Sequence, residues 1–409
     1  MARIAGLILI SLCSQLSFSQ TEIKTMFYNL LNFSSAPPEN RLEILNSILS
    51  TYEPDLFMVC EVESQQDAKD ILTDSFRYTT ADIAQSPFLF NTSGASLIHQ
   101  LVYYDSNKFT LKYTEQIKTK VRSINHYSFE LNTNSSIKFE VFVAHFKASR
   151  GAENEVERSF EAQQFINYIQ NFPEGTNILL AGDFNMYSAS ETAFQTLLNG
   201  TSDITMVDPL NEIGDWNNNS SFAGIHTQST RESNSDFSNF GAGGGLDDRF
   251  DMLLISEILT SETNSISYIE DTYKAWGNNS NCFNNSINDL DCDGEFDQEL
   301  RNLLYQMSDH LPVVMEFNIK EDFLSVSDFS SEASVGISNR HGIYNHVDIK
   351  FSPNLLSKKA WIYNTLGQEI LKFDVSSPHM SLDLSTIPSG LYLLKVEYIP
   401  NATKFHISH

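Results

Sequence analysis

Seven short apolar runs, rich in β-branched and aromatic residues, recur along the first 317 residues, and polar residues bound each of them. Runs of this length and composition are typical of buried β-strands. We predict strands at residues 23–29, 56–60, 101–104, 139–144, 177–181, 252–256 and 311–317. Apolar residues at helical spacing predict helices at 41–49 and 153–169. The excess of strands over helices indicates an α/β (α+β) fold of packed sheets with helices outside.

The chain divides into segments of different composition. Residues 1–20 combine Arg3, an apolar run and a final stretch of small and polar residues. This is the pattern of a cleaved signal peptide, and the apolar run is too short to span a membrane. Residues 325–340 are predicted to form a linker, which leaves a large domain at 21–324 and a small one at 341–409. Five strands separated by turns make the small domain an all-β sandwich by pattern. We predict no transmembrane span and expect a monomer.

Negative charge is concentrated in the large domain. The chain has 52 acidic residues against 26 lysines and arginines, a net charge of −26. Residues 21–324 hold 45 of the acids and 18 of the bases, whereas residues 325–409 hold seven of each. This balance argues against a protein that binds polyanions through a broad basic surface. Any phosphate chemistry would therefore need a metal or a local basic cluster.

Polar side chains stand at the ends of the predicted strands, where core packing does not require them. They are Asn29, Glu61, His145, Asp183 with Asn185, Asp251, and the pair Asp309 and His310. A strand cap or a satisfied hydrogen-bond partner would explain any one of them. As a set, they supply a base and the hard oxygen ligands that Mg²⁺ or Mn²⁺ accepts. The sequence therefore predicts a metal-dependent site at these strand ends.

Two motifs are specific in combination and order: Gly-Asp-Phe-Asn at 182–185 and Ser-Asp-His-Leu-Pro-Val at 308–313. With the other strand-end motifs, they resemble the ordered motifs of the endonuclease/exonuclease/phosphatase superfamily. Its members include deoxyribonuclease I, apurinic endonucleases, sphingomyelinases and inositol polyphosphate 5-phosphatases. The resemblance covers residues 23–317. It implies a four-layer sandwich in which two mixed β-sheets pack face to face with helices outside.

The resemblance also implies a metal site and a base. Glu61 resembles the principal metal-binding carboxylate, with Asn29 and Asp309 beside the same cation. His310 resembles the base that takes a proton from the attacking water, and Asp251 the acid that holds its other ring nitrogen. Such a partner fixes the tautomer of the imidazole and steadies its charged form.

Further residues resemble groups that contact the phosphate. Asp183 and Asn185 resemble the pair that orients the nucleophile or leaving group and donates to a phosphoryl oxygen. His145 stands where nuclease members place a phosphate-contacting His or Tyr. Family members close to deoxyribonuclease I place a Glu, as partner of this residue, before the strand that corresponds to residues 101–104. Residues 98–100 of this chain include no Glu, so donation to the phosphate is the preferred role for His145. Arg122 and Lys147 are the candidate phosphate-binding cations.

The polar loop at 282–297 carries two further features. Cys282 and Cys292 are close in sequence and could form a disulfide in an exported protein. Acids alternate around Gly294 in a pattern that resembles calcium-binding loops: Asp289, Asp291, Asp293 and Asp297. Leu300 occupies the position of the expected bidentate Glu, so an acidic surface loop is the alternative to a structural Ca²⁺ site.

The carboxyl-terminal segment resembles a second family. The motifs at 352–369, 382–385 and 388–396 are similar to those of the C-terminal sorting domain of Bacteroidetes type IX secretion substrates. The resemblance implies that the type IX machinery is a partner and that the protein is secreted or attached to the cell surface. The alternative is a small β-sandwich that binds a partner or carbohydrate.

These features predict a secreted Mg²⁺-dependent phosphodiesterase, foremost an endonuclease acting on extracellular DNA or RNA. A phosphomonoesterase or a sphingomyelinase-like enzyme is the second interpretation, since the shared motifs fix the chemistry and leave the substrate to the loops. An inactive surface-binding protein is the third. The intact set of strand-end residues argues against inactivity.

Overall fold

The computed structural model describes residues 21–77, 79, 81–200, 203–320, 335–337, 346–352, 355–397, 399 and 402–408. The predicted signal peptide lies outside the described residues, as does most of the predicted linker. The described residues divide into two compact units, one before residue 322 and one after it. No helix in the described part of the chain is both long and apolar enough to cross a membrane.

In the described part of the first unit, thirteen strands and five α-helices follow one another. In chain order they are β1 (Thr21–Phe33), α1 (Arg41–Tyr52), β2 (Leu56–Val62), α2 (Gln65–Asp70), β3 (Ile83–Gln85), β4 (His99–Asp105), β5 (Phe109–Ile117), β6 (Ile124–Leu131), β7 (Asn134–His145), α3 (Ala152–Ile169), β8 (Ile178–Asp183), α4 (Thr192–Asn199), β9 (Met206–Val207), β10 (Asp251–Ser256), β11 (Ile266–Tyr268), β12 (Lys274–Ala275), α5 (Gln298–Met307) and β13 (Val313–Ile319).

The strands form two mixed sheets. The first has the order β11-β13-β1-β2-β4-β3, with β12 also paired to β13. The second has the order β5-β6-β7-β8-β10-β9. In the first sheet β1 is parallel to β2 and antiparallel to β13; in the second β8 is parallel to β7 and antiparallel to β10. Each sheet therefore gathers two strand ends and one strand start at the same edge.

Alternation along the strands builds three apolar layers. On β8, Leu179 and Ala181 join the core between the sheets, and Leu180 points to the layer under α3 and α4. On β2, Met58 faces the inter-sheet core, whereas Phe57 packs in the layer that includes residues of α1 and α5. Side chains of a strand alternate between faces, so each central strand serves two layers. The predicted four-layer α/β sandwich is confirmed.

The sequence prediction misses several elements of this unit. Strand β5 has an exposed or half-buried middle, so it lacks the apolar run that marks the central strands. Helix α5 places Leu300, Leu304 and Met307 on its buried side, at helical spacing. The sequence analysis predicts only the acidic loop that precedes α5 and does not predict the helix itself.

The second unit contains seven described strands. They are β14 (Val335–Ile337), β15 (His346–Phe351), β16 (Lys359–Asn364), β17 (Glu369–Asp374), β18 (His379–Asp383), β19 (Gly390–Val396) and β20 (Thr403–Ile407). Their order is β14-β15-β18 in one sheet and β17-β16-β19-β20 in the other, and residues of both sheets share one core. The predicted small β-sandwich is confirmed.

Part of the predicted linker is a strand. Val335–Ile337 pairs antiparallel with β15, with Val335 opposite Phe351 and Ile337 opposite Ile349. Ile337 is buried in the core of the second unit, and Val335 packs against it. The prediction of a linker across 325–340 is wrong at these three residues, because two apolar side chains in a polar stretch suffice to extend a sheet.

Candidate metal-dependent active site

The polar strand ends of the two sheets meet at one edge of the sandwich. His145, Asp183 and Asp251 are register partners on the adjacent strands β7, β8 and β10. From the first sheet, the Nδ2 of Asn29 donates to Asp183 Oδ2 at 3.0 Å and to Glu61 Oε1 at 3.0 Å. The amide of Asn29 therefore joins carboxylates from both sheets.

Glu61 leaves its strand in a strained conformation. Its φ is 64°, in the left-handed region, and the pairing of β2 with β4 shifts register between Val59 and Val62. Such a bulge redirects a side chain, and a strained non-glycine residue persists where its surroundings hold it. The Oε2 of Glu61 accepts a hydrogen bond from the Asn32 amide at 2.8 Å. Burial, followed by the charge of Asp309, raises the pKa of Glu61.

The orientation of Asn29 differs from that of a metal ligand. Its Oδ1 accepts from the Leu31 amide at 3.0 Å, so its nitrogen faces the carboxylates. Coordination through the amide oxygen, as the sequence predicts, would need the side chain to turn, and this role stays a prediction. The structure shows Asn29 as a donor that spaces Glu61 and Asp183.

His310 is held by hydrogen bonds at both ring nitrogens. Its Nδ1 lies 2.7 Å from Asp251 Oδ2. Gln228 Nε2 lies 2.6 Å from His310 Nε2 and donates to Asp309 Oδ2 at 3.0 Å, which fixes the orientation of the Gln228 amide. In the neutral ring, which is the form that can accept a proton, the amide N–H pointing at Nε2 makes this nitrogen the acceptor and leaves the proton on Nδ1. Burial lowers the pKa of His310, but Asp251, Asp309 and Asp183 raise it well above its usual value.

Asp309 keeps one oxygen available. Its Oδ2 accepts from Gln228 and from the Ala242 amide at 2.6 Å, whereas its buried Oδ1 has no hydrogen-bond partner. Gly241 backs this carboxylate with φ +79°, and a Cβ there would lie 2.8 Å from Asp309 Cγ. Only glycine fits that position without displacing Asp309.

Asp183 and His145 complete the cluster. His145 Nε2 lies 3.4 Å from Asp183 Oδ2 and 3.8 Å from Glu61 Oε1, whereas its buried Nδ1 has no partner. Burial lowers the pKa of His145 well below its usual value, and the Arg122 charge adds to this. Burial also raises the pKa of Asp183 to about 7. Asn185 Nδ2 donates to Asp183 Oδ1 at 2.8 Å.

These side chains fit a hard divalent cation. Two groups of three bring their ligand atoms within 4.8 Å of one another: Glu61 with His145 and Asp183, and Asp183 with Asp251 and His310. The unpartnered Oδ1 of Asp309 is a further acceptor beside them. Buried carboxylates this close repel one another unless a cation lies between them, and carboxylate oxygens are the ligands that Mg²⁺ and Mn²⁺ prefer.

The two predicted phosphate contacts occupy different surroundings. Arg122 is 9% exposed and its Nε donates to the His145 carbonyl at 2.8 Å, so its guanidinium lies beside the cluster. Lys147 Nζ donates to the Ala148 carbonyl at 2.8 Å, and the Lys147 amide donates to Glu161 Oε2 at 2.8 Å. Phosphate binding by either residue stays a prediction.

Sequence reasoning missed the residues that hold the segment carrying Asp309 and His310. Five consecutive carbonyls, at 305–309, each accept a hydrogen bond. Arg231 donates to the carbonyls of residues 305 and 306, and Arg41 to that of residue 307. Thr230 donates to the carbonyls of Ser308 and Asp309, through its hydroxyl at 2.6 Å and its amide at 3.0 Å.

The signal for these residues is weak. Arg41 and Arg231 are both fully or almost fully buried, which no periodic pattern predicts for an arginine. Gln228 lies in the irregular Thr-Gln-Ser-Thr-Arg segment at 227–231, between recognisable strands. The one sequence signal for Arg41 and Arg231 is that each is an arginine in a chain that has few basic residues.

The loop at 282–297 carries the predicted disulfide. The structure bonds Cys282 to Cys292, and Cys60 is buried as a free thiol. Asp289 caps the short 3₁₀-helix Leu290–Cys292, and Asp297 caps α5 by accepting from the Leu300 amide at 2.9 Å. Neither of the three-ligand groups found among the described residues includes an acid of this loop. Calcium binding here stays a prediction, while two of its four acids serve as helix caps.

The fold and the site define a class of protein: a four-layer α/β sandwich with a His–Asp pair and buried carboxylates at one edge, followed by a separate β-sandwich. Residues 343–406 match the family model "Secretion system C-terminal sorting domain". The predicted sorting domain is confirmed, and it indicates secretion or attachment to the cell surface.

Solved structures similar to this chain include endonuclease/exonuclease/phosphatase proteins. D. rerio TDP2 in complex with a single-strand DNA product is 16% identical, with 73% of this chain and 99% of that chain covered and a TM-score of 0.49. The human Nocturnin catalytic domain with bound sulfate is 14% identical, with coverages of 74% and 98% and a TM-score of 0.46. An endonuclease/exonuclease/phosphatase family protein from Bacteroides thetaiotaomicron is 15% identical, with coverages of 74% and 97% and a TM-score of 0.43. No curated protein sequence matches this chain.

Proposed function

We propose that this protein is a secreted, divalent-cation-dependent phosphodiesterase, and that its substrate is DNA or RNA cut internally. The observation that carries the proposal is the His310–Asp251 pair, with 2.7 Å between Nδ1 and Oδ2, beside the carboxylates of Glu61, Asp183 and Asp309. A base next to a cation-binding carboxylate cluster is suited to hydrolysing a phosphoester with water.

His310 acts as the general base. Its Nε2 takes a proton from the water that attacks phosphorus, while Nδ1–H donates to Asp251 Oδ2 and the Asp251 charge stabilises the imidazolium. The new bond joins the water oxygen to phosphorus, and the bond from phosphorus to the leaving oxygen breaks. Gln228 holds the ring in this orientation through Nε2 until the water replaces that contact.

The remaining residues bind and orient the phosphate. Glu61 and Asp309, with Asp183 beside them, would hold Mg²⁺ or Mn²⁺, which when bound neutralises charge on the phosphate and on the leaving oxygen. Asn185 and His145 supply N–H donors for phosphoryl oxygens. The lowered pKa of His145 favours its neutral ring, and its Nε2, 3.4 Å from Asp183 Oδ2, faces the carboxylates where the phosphate would bind.

A phosphomonoesterase or a sphingomyelinase-like enzyme is the second candidate, and one observation favours it. The segment 21–324 has 45 acidic and 18 basic residues, which disfavours a long polyanion more than a small or lipid-borne phosphate. Local cations such as Arg122 offset this repulsion near the site. An inactive binding protein does not account for the retained base, its acid partner and the clustered carboxylates.

The test is hydrolysis by the full chain of plasmid DNA, RNA, a simple phosphomonoester and sphingomyelin, with Mg²⁺, Mn²⁺ or EDTA. The variants are His310→Ala, Asp251→Asn and Glu61→Gln. We expect cation-dependent nicking of nucleic acid that falls about 10²- to 10⁴-fold in His310→Ala and in Asp251→Asn, since both lose the oriented base. Glu61→Gln should raise the cation concentration needed for half-maximal rate.

His379→Ala is the matched control, because His379 is an exposed histidine of the second unit. It should leave every rate unchanged. Hydrolysis confined to the monoester or to sphingomyelin would move the function to the second candidate. Full activity of His310→Ala would overturn the mechanism.

A further inference from the structure

A loop at the edge of the site presents two apolar side chains to solvent. The rim loop, residues 86–98, connects β3 to β4. Phe90 is 63% exposed and Leu97 is 78% exposed. Neither side chain has a part in the site described above.

One side of the rim loop is fixed next to Glu61. The Phe90 ring packs edge-on against the His99 ring, with centroids 5.7 Å apart, and the Phe88 ring lies 4.9 Å from the same histidine. His99 Nδ1 lies 3.1 Å from the carbonyl of Val62, the residue that follows Glu61. The ring of Phe90 is therefore two contacts away from the strand end that carries Glu61.

The other side of the rim loop is fixed next to Arg122. Asn91 Nδ2 donates to the Val121 carbonyl at 3.1 Å, and Ser93 Oγ lies 2.8 Å from Ser123 Oγ. Gly94 has φ +63°, and a Cβ there would lie 2.6 Å from the Lys120 carbonyl, so the loop approaches this segment as closely as glycine allows. The rim loop, which carries Phe90, is thus held between the segments of Glu61 and Arg122.

We infer that the exposed ring of Phe90 is a platform on which a nucleobase next to the scissile phosphate stacks, so that the substrate is single-stranded or unpaired nucleic acid. This inference rests on the proposed function. A base is joined to its phosphate through one sugar, so a phosphate bound between Glu61 and Arg122 brings its base to the rim. Stacking on an aromatic ring tolerates any base sequence and needs no positive charge.

The charge of the chain supports a base as the occupant. A domain with 45 acids and 18 bases gains little from phosphate contacts outside the site, so affinity for a polynucleotide must come largely from contacts to bases. An acyl chain fits the rim loop less well, because insertion into a lipid surface requires a continuous apolar face. Between Phe90 and Leu97 the loop instead carries small and polar residues: Asn91, Thr92, Ser93, Gly94, Ala95 and Ser96.

The test compares two single-stranded oligomers of equal length and charge, one with bases and one built from base-free sugar phosphates. The full chain and the variants Phe90→Ala and Phe90→Trp are assayed for kcat/KM on both. Phe90→Ala should lower kcat/KM about 5- to 100-fold on the oligomer with bases and leave the base-free oligomer unchanged. Phe90→Trp should restore the rate.

Binding of the same labelled oligomers to His310→Ala protein, with and without Phe90→Ala, gives a second readout that does not depend on turnover. Tyr113→Ala is the matched control, since Tyr113 is a 50% exposed aromatic residue on β5, outside the rim loop. Tyr113→Ala should change neither kcat/KM nor binding on either oligomer.

The outcomes separate this inference from the proposed function. Equal loss on both oligomers, or no loss on either, overturns the platform. Hydrolysis of sphingomyelin vesicles is measured with the same variants, and a loss in Phe90→Ala seen only there overturns the platform in favour of an acyl chain. If the wild-type chain cuts neither oligomer, the proposed nuclease function fails, and the binding readout alone then supports or overturns base stacking.

Discussion

At the scale of single residues, Glu161 is a buried acid that the proposed chemistry does not use. It lies on α3 with its Oε1 unpartnered and its Oε2 accepting from the Lys147 amide at 2.8 Å. Burial raises its pKa to about 7. A carboxyl whose pKa is raised on folding contributes stability that is complete below the unfolded pKa and is lost as pH rises through the folded value.

Glu161→Gln should therefore remove one component of the pH dependence of stability. Between pH 4.5 and pH 8 the wild-type free energy of unfolding should fall by about 2–3 kcal/mol more than that of the variant, since each pKa unit corresponds to about 1.4 kcal/mol. Chemical unfolding at both pH values measures this difference. Glu153→Gln, an exposed change on the same helix, should show no such effect. Parallel pH dependence in wild type and Glu161→Gln would contradict the prediction.

Residues of the site differ in how far sequence predicts them. Glu61, Asp183 and His310 are predictable because each terminates or precedes an apolar run, and side chains at the same edge of a sheet meet. Gln228 and Arg231 act through an irregular loop, where contacts depend on tertiary placement and leave no period in the sequence. The turned amide of Asn29 is likewise a property of the packed site, since it depends on the Leu31 amide.

At the scale of elements, the loop closed by Cys282–Cys292 supports the segment that holds Asp309. The Ile287 amide donates to the Thr230 carbonyl at 2.9 Å, and Thr230 in turn donates to the carbonyls of Ser308 and Asp309. Arg301 of α5 donates to the Ile287 carbonyl at 3.0 Å. The disulfide loop is therefore connected to the site through one short chain of hydrogen bonds.

Replacing both cysteines, in Cys282→Ser/Cys292→Ser, should lower the free energy of unfolding by about 2–3 kcal/mol, because the cross-link restricts a short loop in the unfolded chain. The cation concentration for half-maximal activity should rise as the support of Asp309 loosens. Thermal unfolding and a Mg²⁺ titration measure the two effects. Reductant should lower the stability of the wild type and raise its half-maximal cation concentration in the same way, and should leave the double variant unchanged. A reductant effect on both proteins would show that the disulfide is not its cause.

Some strands and helices can be predicted from the sequence, and others cannot. The central strands, such as β8 and β10, are buried on both faces and read as continuous apolar runs, so sequence finds them. Strand β5 and helix α4 do not stand out, because edge strands and short helices take much of their definition from the neighbours they pack on. Tertiary packing, which no single window of sequence contains, decides these segments.

At the scale of the whole molecule, two cores are built separately. The three apolar clusters of the first unit contain residues up to 319, and the cluster of the second unit begins at 337. The segment that matches the sorting-domain model, 343–406, lies within the second unit.

Deleting residues 341–409 should therefore stop secretion by the type IX machinery in the native host without unfolding the first unit. The truncated chain should be found in the cell fraction, where the full chain is found at the surface or in the medium, and its unfolding midpoint should match the corresponding transition of the full chain. Immunoblots of cell fractions and calorimetry measure these outcomes. A strain without the type IX machinery should retain the full chain equally, whereas export of the truncated chain would contradict the prediction.

The row of His145, Asp183 and Asp251 across three paired strands bears on how such a protein can diversify. A strand that slips by one residue turns every side chain to the opposite face, so a one-residue slip of β7, β8 or β10 would remove its member from the row. Loops such as 86–98 can change length and content without moving it. The row of side chains is therefore constrained by strand register, whereas the loops around it are not.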